Sequence, residues 1–158
     1  MAAILACALW MISAVPMTAR AAAALPGAVD FVADGAAARE RRVPILLFFN
    51  RVGCPYCERA LREYLGPMQL DPAYAGRVLF RQVEIDKAKR LVDFTGAATS
   101  HRDFASRYRI KLTPTIWFVD GEGKTLAEPI VGLPTIDFYG AYLNQRIDDS
   151  LAKLRAAQ

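Results

Sequence analysis

The segment Cys-Pro-Tyr-Cys at residues 54–57 constrains the fold of this chain more than any other feature of its sequence. It follows closely on the apolar run ILLFFN at 45–50, which is typical of a strand that is covered on both faces. Pro55 suits the first position of a helix, where its missing N–H group costs no hydrogen bond. We therefore predict a strand, a short loop and a helix that begins at Cys54 and ends before Gly66-Pro67.

The segments on either side alternate between helix and strand patterns. A helix is predicted over 28–42, with Val29, Val32 and Ala36 on its apolar face. A strand is predicted over 77–86, a less regular stretch over 87–100 and a short helix over 101–108. In the last part of the chain, a strand is predicted to start at Thr113-Pro114 and to end in a hairpin turn at 120–123. The strand that returns contains Pro129, which indicates an edge or bulged strand. The final helix is predicted over 136–154, with one face formed by Phe138, Tyr142, Leu143 and Ile147. This order predicts an α/β protein with a central mixed β-sheet of about four strands, flanked by helices on both faces.

The N-terminal segment predicts export. Residues 2–15 are apolar, and Ala19-Arg20-Ala21 has the small-x-small pattern of a signal-peptidase site. We therefore predict a signal peptide at 1–21, a mature domain at 22–158 and a periplasmic location. The alternative is an uncleaved membrane anchor, because the apolar run approaches the length that spans a bilayer.

Composition limits the classes of partner. The chain is 54% hydrophobic and 23% charged, which fits one globular domain that needs no disulfide staples. Its net charge of +4 is spread along the sequence without a block of Lys or Arg, so nucleic acid is not expected as a partner. We expect a monomer.

The two cysteines of the CxxC segment favour redox exchange. At a helix start, free N–H groups and the helix dipole stabilise a thiolate, so Cys54 is the predicted nucleophile. Cys57 lies one turn further on and is predicted to resolve the mixed disulfide. Pro55 and Tyr56 would tune the couple. No cofactor is required, and no resident metal is predicted, because a metal site needs about four ligands. A copper carrier that uses the same two thiolates remains the alternative of another class.

Three segments together resemble the thioredoxin superfamily: ILLFFN, CPYC and FASRYRIKLTPTIWFVDGEGKTL. The resemblance covers about residues 28–150 and implies the thioredoxin fold. In this family a cis-proline faces the dithiol about sixty residues after it, and Pro114 lies 60 residues after Cys54. The resemblance therefore implies that Thr113 and Pro114, together with Pro55 and Tyr56, bind the substrate while the two cysteines carry out the exchange.

Three features of the sequence bear on the subtype within the thioredoxin superfamily. CPYC is typical of glutaredoxins, but the glycine-pair-and-aspartate block that holds glutathione does not follow residues 116–123. Phe48 stands where thioredoxins carry a buried acid. Residues 92–115 resemble the exported thioredoxin-like proteins of bacterial sulfur-oxidation systems, of the SoxS and SoxW type. That resemblance implies a reductant of disulfide-bearing periplasmic proteins, supplied with electrons by a membrane thiol reductase. A disulfide isomerase or oxidase, a glutaredoxin-like reductase and a thioredoxin-fold binding module are the alternatives.

The sequence also supports predictions for five further polar or aromatic residues. His101 is expected at the surface near a helix start, and Trp117 in the core or at its rim. Arg51 is either a solvated loop cation or a group that stabilises the Cys54 thiolate. Glu84 and Asp86 are expected to be solvated charges at a strand end, with a proton relay as the alternative.

Overall fold

A computed structural model of the chain describes residues 24–156. Strands and helices alternate along it, and every element lies in one domain. In chain order the elements are α1 (Phe31–Arg41), β1 (Ile45–Asn50), α2 (Pro55–Ala60), a π-helical turn (Leu61–Leu65), α3 (Gly66–Leu70), α4 (Pro72–Ala75), β2 (Leu79–Glu84), β3 (Arg90–Val92), β4 (Ala98–Ser100), α5 (His101–Arg107), β5 (Thr115–Val119), β6 (Thr125–Val131), a 3-10 turn (Ile136–Phe138) and α6 (Tyr139–Ala156).

The central sheet has four strands in the order β2-β1-β5-β6. Strand β1 runs parallel to β2 and antiparallel to β5, and β6 returns antiparallel to β5, so the sheet is mixed as predicted. Residues 45–49 of β1 are each 0% exposed, as the unbroken apolar run indicated. The predicted thioredoxin fold, a four-stranded mixed sheet flanked by helices, is confirmed.

The predicted apolar face of α1 is wrong. Asp30 caps the helix by accepting hydrogen bonds from the N–H groups of Val32 (2.8 Å) and Ala33 (3.0 Å), so the helix begins at Phe31. Val29 and Val32 are 68% and 45% exposed. The buried face instead consists of Phe31, Asp34, Gly35 and Ala38. Phe31 decides the orientation, because its large ring buries more apolar area than a valine and stacks on Phe94 at a centroid distance of 4.5 Å.

The helix that carries the cysteines does not stop at Gly66-Pro67. A π-helical turn, Leu61–Leu65, precedes the proline, and the N–H group of Gly66 donates to the carbonyl of Leu61. A π turn is wider than an α turn, so the ring of Pro67 and its missing donor are accommodated without ending the helix. The helical path ends at Asp71, whose carboxylate accepts from the N–H group of Ala73 (2.9 Å) and starts α4.

The stretch predicted to be irregular contains a small hairpin. Strands β3 and β4 pair antiparallel in a two-stranded sheet of their own. Asp93 holds the connecting turn, because its Oδ1 atom accepts from the N–H groups of Thr95 (2.9 Å) and Ala97 (3.1 Å). Gly96 takes a φ of +86° there.

Most of the C-terminal predictions are confirmed. Asp120 accepts from the N–H groups of Glu122 (2.8 Å) and Lys124 (2.9 Å) in the β5–β6 turn. Strand β6 lies at the edge of the sheet, and its pairing with β5 is irregular beside Pro129. Both features agree with the position of a residue that has no N–H group to donate.

The apolar face of the last helix was only half right. Leu143 and Ile147 are buried as predicted, together with Tyr139. Phe138 and Tyr142 are 59% and 41% exposed instead. A 3-10 turn occupies Ile136–Phe138, so the α-helix starts at Tyr139 and turns a different face to the sheet.

The predicted signal peptide, residues 1–21, lies outside the described residues, and the domain boundary at 22 does as well. Within residues 24–156, none of the helices combines the length and the apolar character needed to cross a bilayer.

Candidate active site

The two cysteines lie where β1 passes into the helical layer. Gly53 turns the chain with a φ of +69°, and Cys54 then caps α2 from an extended conformation. The N–H group of Cys57 donates to Sγ of Cys54 at 3.2 Å. Pro55 occupies the first turn of α2, as predicted, because that position lacks a hydrogen-bond acceptor. The cap geometry therefore supplies a donor to the sulfur that the sequence identifies as the nucleophile.

The cysteines form a disulfide with each other. Their Cα atoms are 5.2 Å apart, and the two residues are 5% and 3% exposed. Both cysteines are therefore almost completely covered by the surrounding residues.

Thr113 lies against the first cysteine from the other side. Its hydroxyl donates to Sγ of Cys54 at 3.5 Å, and its carbonyl oxygen lies 3.6 Å from the same sulfur. The Thr113–Pro114 peptide bond is cis, and Pro114 is buried. The carbonyl of Pro114 accepts from the N–H group of Gly132 at 2.7 Å, which ties this loop to the end of β6. Residues 59 positions apart thus meet at one sulfur atom.

The surface around the cysteines is apolar. Val52 and Tyr56 are 64% and 63% exposed, and Leu112, next to Thr113, is 63% exposed. Pro55 is exposed as well. Tyr56 was predicted from the sequence, whereas Val52 and Leu112 were not. In the sequence, the only indication that Val52 and Leu112 belong to the site is that they lie one or two residues from Cys54 and Thr113. That position becomes informative once the structure shows that the Cys54 loop and the Thr113 loop are in contact.

The charged groups near the site lie at the end of β2 and in the loop that precedes Cys54. The side chain of Asp86 accepts from the N–H group of Val52 at 3.4 Å, and its carbonyl accepts from Arg102 at 2.8 Å. Glu84 was expected to be a solvated charge, but its side chain is only 19% exposed and forms an ion pair with Lys89. Arg51 is exposed, as expected for a loop cation.

His101 is not a surface residue, which corrects the prediction. It is 2% exposed, its Nε2 atom lies 2.7 Å from the carbonyl of Ala28, and its Nδ1 atom accepts from the N–H group of Glu84 at 3.0 Å. These partners require a proton on Nε2 and none on Nδ1. His101 therefore connects the N-terminal segment to β2. Trp117 is half-buried against Phe49 and Tyr108, at the rim of the core as expected.

The described part of the chain contains no cluster of metal-ligating side chains. No three side chains among its His, Cys, Asp and Glu residues converge as a metal site would require. The chemistry that this arrangement supports is thiol exchange at Cys54, with Cys57 one turn behind it.

Comparisons with known proteins point to one family. A family model described as a thioredoxin-like domain matches residues 32–147. No curated protein matches the chain.

Three solved structures show the likeness in fold. Mitochondrial thioredoxin 3 from Saccharomyces cerevisiae aligns with a TM-score of 0.53 and 16% identity, over 79% of this chain and 94% of that one. A mutant of a poplar thioredoxin h gives 0.55 and 17% identity, over 80% and 84%. The C-terminal domain of DsbD from Neisseria meningitidis gives 0.50 and 18% identity, over 76% and 98%.

Proposed function

Since this chain belongs to the thioredoxin-like domain family, we propose that it is a periplasmic thiol:disulfide oxidoreductase that reduces disulfides in partner proteins. The observation that carries the proposal is the environment of one sulfur atom. Sγ of Cys54 receives hydrogen bonds from the N–H group of Cys57 and from the hydroxyl of Thr113. Both donors stabilise a negative charge on that atom, and the thiolate is the attacking form of a cysteine.

The reaction runs in two exchanges. The Cys54 thiolate attacks one sulfur of the partner's disulfide, a mixed disulfide forms, and the partner's other cysteine leaves as a thiolate. Cys57 then attacks Sγ of Cys54, which releases the partner's second thiolate and leaves the Cys54–Cys57 disulfide. Two electrons and two protons pass from the dithiol to the partner. The disulfide seen between the two cysteines is the product of this cycle.

The neighbouring residues would hold the partner during the first exchange. The backbone of Thr113 lies beside the attacking sulfur and offers its carbonyl to an extended segment. Exposed Tyr56 and Pro55 border the same sulfur from the helix side. Pro114 has no N–H group that would compete for the thiolate.

The setting of the reaction follows from the sequence. The predicted signal at 1–21 supports a periplasmic location, and the resemblance of residues 92–115 supports partners in a sulfur-oxidation system. The periplasm is kept oxidising, so the dithiol has to be regenerated, and a membrane thiol reductase is the proposed donor. The protein works as a monomer without nucleic acid or a dissociable cofactor.

The reduction potential of the Cys54–Cys57 couple tests the direction of the reaction. The mature domain is equilibrated in thiol redox buffers, and the dithiol fraction is measured. A potential of about −250 mV or lower is expected for a reductant. A value of about −120 to −180 mV is typical of oxidants and isomerases and would overturn the reducing role.

A trapping experiment tests the partners. In Cys57→Ser the second exchange cannot occur, so the mixed disulfide on Cys54 should accumulate and can be isolated with its partner. The matched variant Cys54→Ser should trap nothing. Recovery of disulfide-bearing periplasmic proteins by the first variant alone is the expected result, and equal recovery by both would refute attack by Cys54.

A further inference from the structure

An apolar cavity lies against the segment that carries Thr113 and Pro114. It has a volume of about 250 Å³, and its apolar walls are formed by Ile110, Leu112, Pro129 and Val131. Leu112 and Val131 are 63% and 49% exposed. Water covers these side chains in the free protein, so an apolar group that replaced the water would be favoured by about 25 cal/mol for each Å² buried.

Two segments that line the cavity are connected to the residues around Cys54. Leu112 immediately precedes Thr113, whose carbonyl lies 3.6 Å from Sγ of Cys54. On the other wall, Val131 pairs with Thr115, and the N–H group of Gly132 donates to the carbonyl of Pro114. Because the cavity is lined by the residues on either side of Thr113-Pro114, it is within reach of an extended segment that is joined to Cys54 by a mixed disulfide and advances about 3.3 Å per residue.

The charges around the cavity are all of one sign. Arg109 and Lys111 lie on its rim. A second cavity of about 220 Å³ shares both cations and adds Arg102. No carboxylate lines either cavity among the described residues.

Arg109 and Lys111 have no acidic partner among the described residues. In the part of the chain from 24 to 156, neither Arg109 nor Lys111 lies within 4 Å of a carboxylate. Arg107, two residues earlier, is by contrast paired with Asp93 at 2.5 Å. The two cations by the cavity are therefore available to a carboxylate from outside.

The turn that carries the cations is held in place. Arg109 has a φ of +56°, and its N–H group donates to the carbonyl of Ser106 at 2.9 Å. The N–H group of Ile110 donates to the carbonyl of Ala105, also at 2.9 Å. These bonds close the C-terminal end of α5, so the two cations project from an ordered turn.

We propose that this groove, formed by Arg109, Ile110, Lys111, Leu112, Pro129 and Val131, selects partner segments by their chemistry. Its occupant is an extended segment of a disulfide-bearing protein with an apolar side chain and an acidic side chain close to the reacting cysteine. The apolar side chain fills the cavity, and the carboxylate pairs with Arg109 or Lys111. The inference rests on the proposed function, because it assigns the substrate class of the same thiol exchange.

Three matched peptides test the inference. Gly-X-Leu-Cys-Leu-X-Gly is made with X as Glu, Gln or Lys, and each cysteine is activated as a mixed disulfide with 5-thio-2-nitrobenzoate. The reduced protein attacks the cysteine sulfur, the coloured thiolate leaves, and Cys57 then releases the reduced peptide. The rate of colour release is measured at low and high salt, and the ratio of the Glu peptide to the Lys peptide is compared within each variant.

The wild-type protein should react at least about tenfold faster with the Glu peptide than with the Lys peptide at low salt, and 1 M NaCl should remove most of the difference. The ratio should fall below about twofold in the double variant Arg109→Gln/Lys111→Gln. It should persist in Arg109→Lys/Lys111→Arg and in the charge-matched control Arg90→Gln/Arg155→Gln, whose changes lie outside both cavities.

Two results would overturn the inference, and they separate it from the proposed function. Equal rates for the Glu and Lys peptides, or a ratio that survives the Arg109→Gln/Lys111→Gln change, would refute selection by the groove and leave the thiol exchange intact. If none of the peptides oxidised the dithiol, the proposed function would itself fail.

Discussion

The two ends of the central sheet are built in different ways. At the dithiol end, β1 leads into the Cys54 loop and β5 follows Pro114, and the apolar side chains Val52 and Leu112 remain more than half exposed. At the opposite end, the β5–β6 turn packs against α1 with almost no space. A Cβ atom on Gly35 would lie 2.2 Å from the carbonyl oxygen of Gly121.

This difference indicates that one end of the sheet stabilises the fold and that the other end is available for the chemistry. The ring of Phe31 stacks on Phe94 and lies tilted against Phe104 beside the packed end, where these rings contribute to folding. The exposed side chains at the dithiol end contribute little to folding and offer apolar surface to a partner. Changes at the packed end should therefore alter the free energy of unfolding, and changes at the dithiol end should alter the chemistry.

The largest effect is expected at the dithiol end. Cys54→Ser removes the proposed nucleophile and should lower the rate of insulin disulfide reduction at least about a thousandfold. The thermal midpoint of the reduced protein should stay close to that of the reduced wild type, because a hydroxyl replaces a thiol of similar size. Reductase activity in Cys54→Ser would contradict the difference between the two ends, because the chemistry would then not depend on Cys54.

The packed end should respond in the opposite way. Gly35→Ala forces a methyl group into the carbonyl of Gly121 and should lower the free energy of unfolding by about 3 kcal/mol. Gly76→Ala is the matched control, because no atom lies within 4 Å of its added Cβ atom and its φ is −99°. Urea unfolding measures both. Equal losses of stability would show that the close approach at Gly35 is not what limits substitution.

Acid should weaken the packed end through Asp93. Burial raises the pKa of this carboxyl, but hydrogen bonds from Thr95, Arg107 and the N–H groups of Thr95 and Ala97 outweigh it and lower the pKa to about 2, from an ordinary value of 3.8. Because the folded pKa is the lower one, the ionised group stabilises the fold above pH 4. About 2 kcal/mol should be lost as the pH falls from about 4 to about 2.

The variant Asp93→Asn isolates this contribution. Other carboxylates titrate in the same range, so the free energy of unfolding is measured against pH for both proteins. The difference between them should shrink by about 2 kcal/mol between pH 5 and pH 2. A constant difference across this range would mean that the charge of Asp93 does not stabilise the turn.

The smallest expected effect tests the hydroxyl of Thr113. Thr113→Val removes one donor to Sγ of Cys54, which should destabilise the thiolate by about 1 kcal/mol. The reduced form becomes less favourable, so the reduction potential should become more negative by about 20 mV. Thr113→Ser keeps a hydroxyl and should restore the wild-type potential. An unchanged potential in Thr113→Val would limit the role of this residue to its backbone.

Local chemistry alone determined a large part of the architecture. Five consecutive apolar residues at 45–49 are typical of a strand covered on both faces, and these five residues of β1 are all buried. Asp120 and Gly123 specify a turn that their own side chain and backbone can form. Pro129 excludes an interior strand position because it lacks a donor. Each of these outcomes depends on groups within a few residues, so the sequence was sufficient.

Other features depended on contacts between distant segments, which local patterns cannot encode. The orientation of α1 was decided by the stacking of Phe31 on Phe94, and the burial of His101 by carbonyl and N–H partners at Ala28 and Glu84. The helix continued past Pro67 because a π turn preceded it. The spacing of the motifs and the family resemblance indicated the meeting of Cys54 with Thr113. The arrangement of Arg109 and Lys111 beside an apolar cavity was decided by tertiary structure alone, because that cavity exists only when the turn after α5 packs against the end of β6.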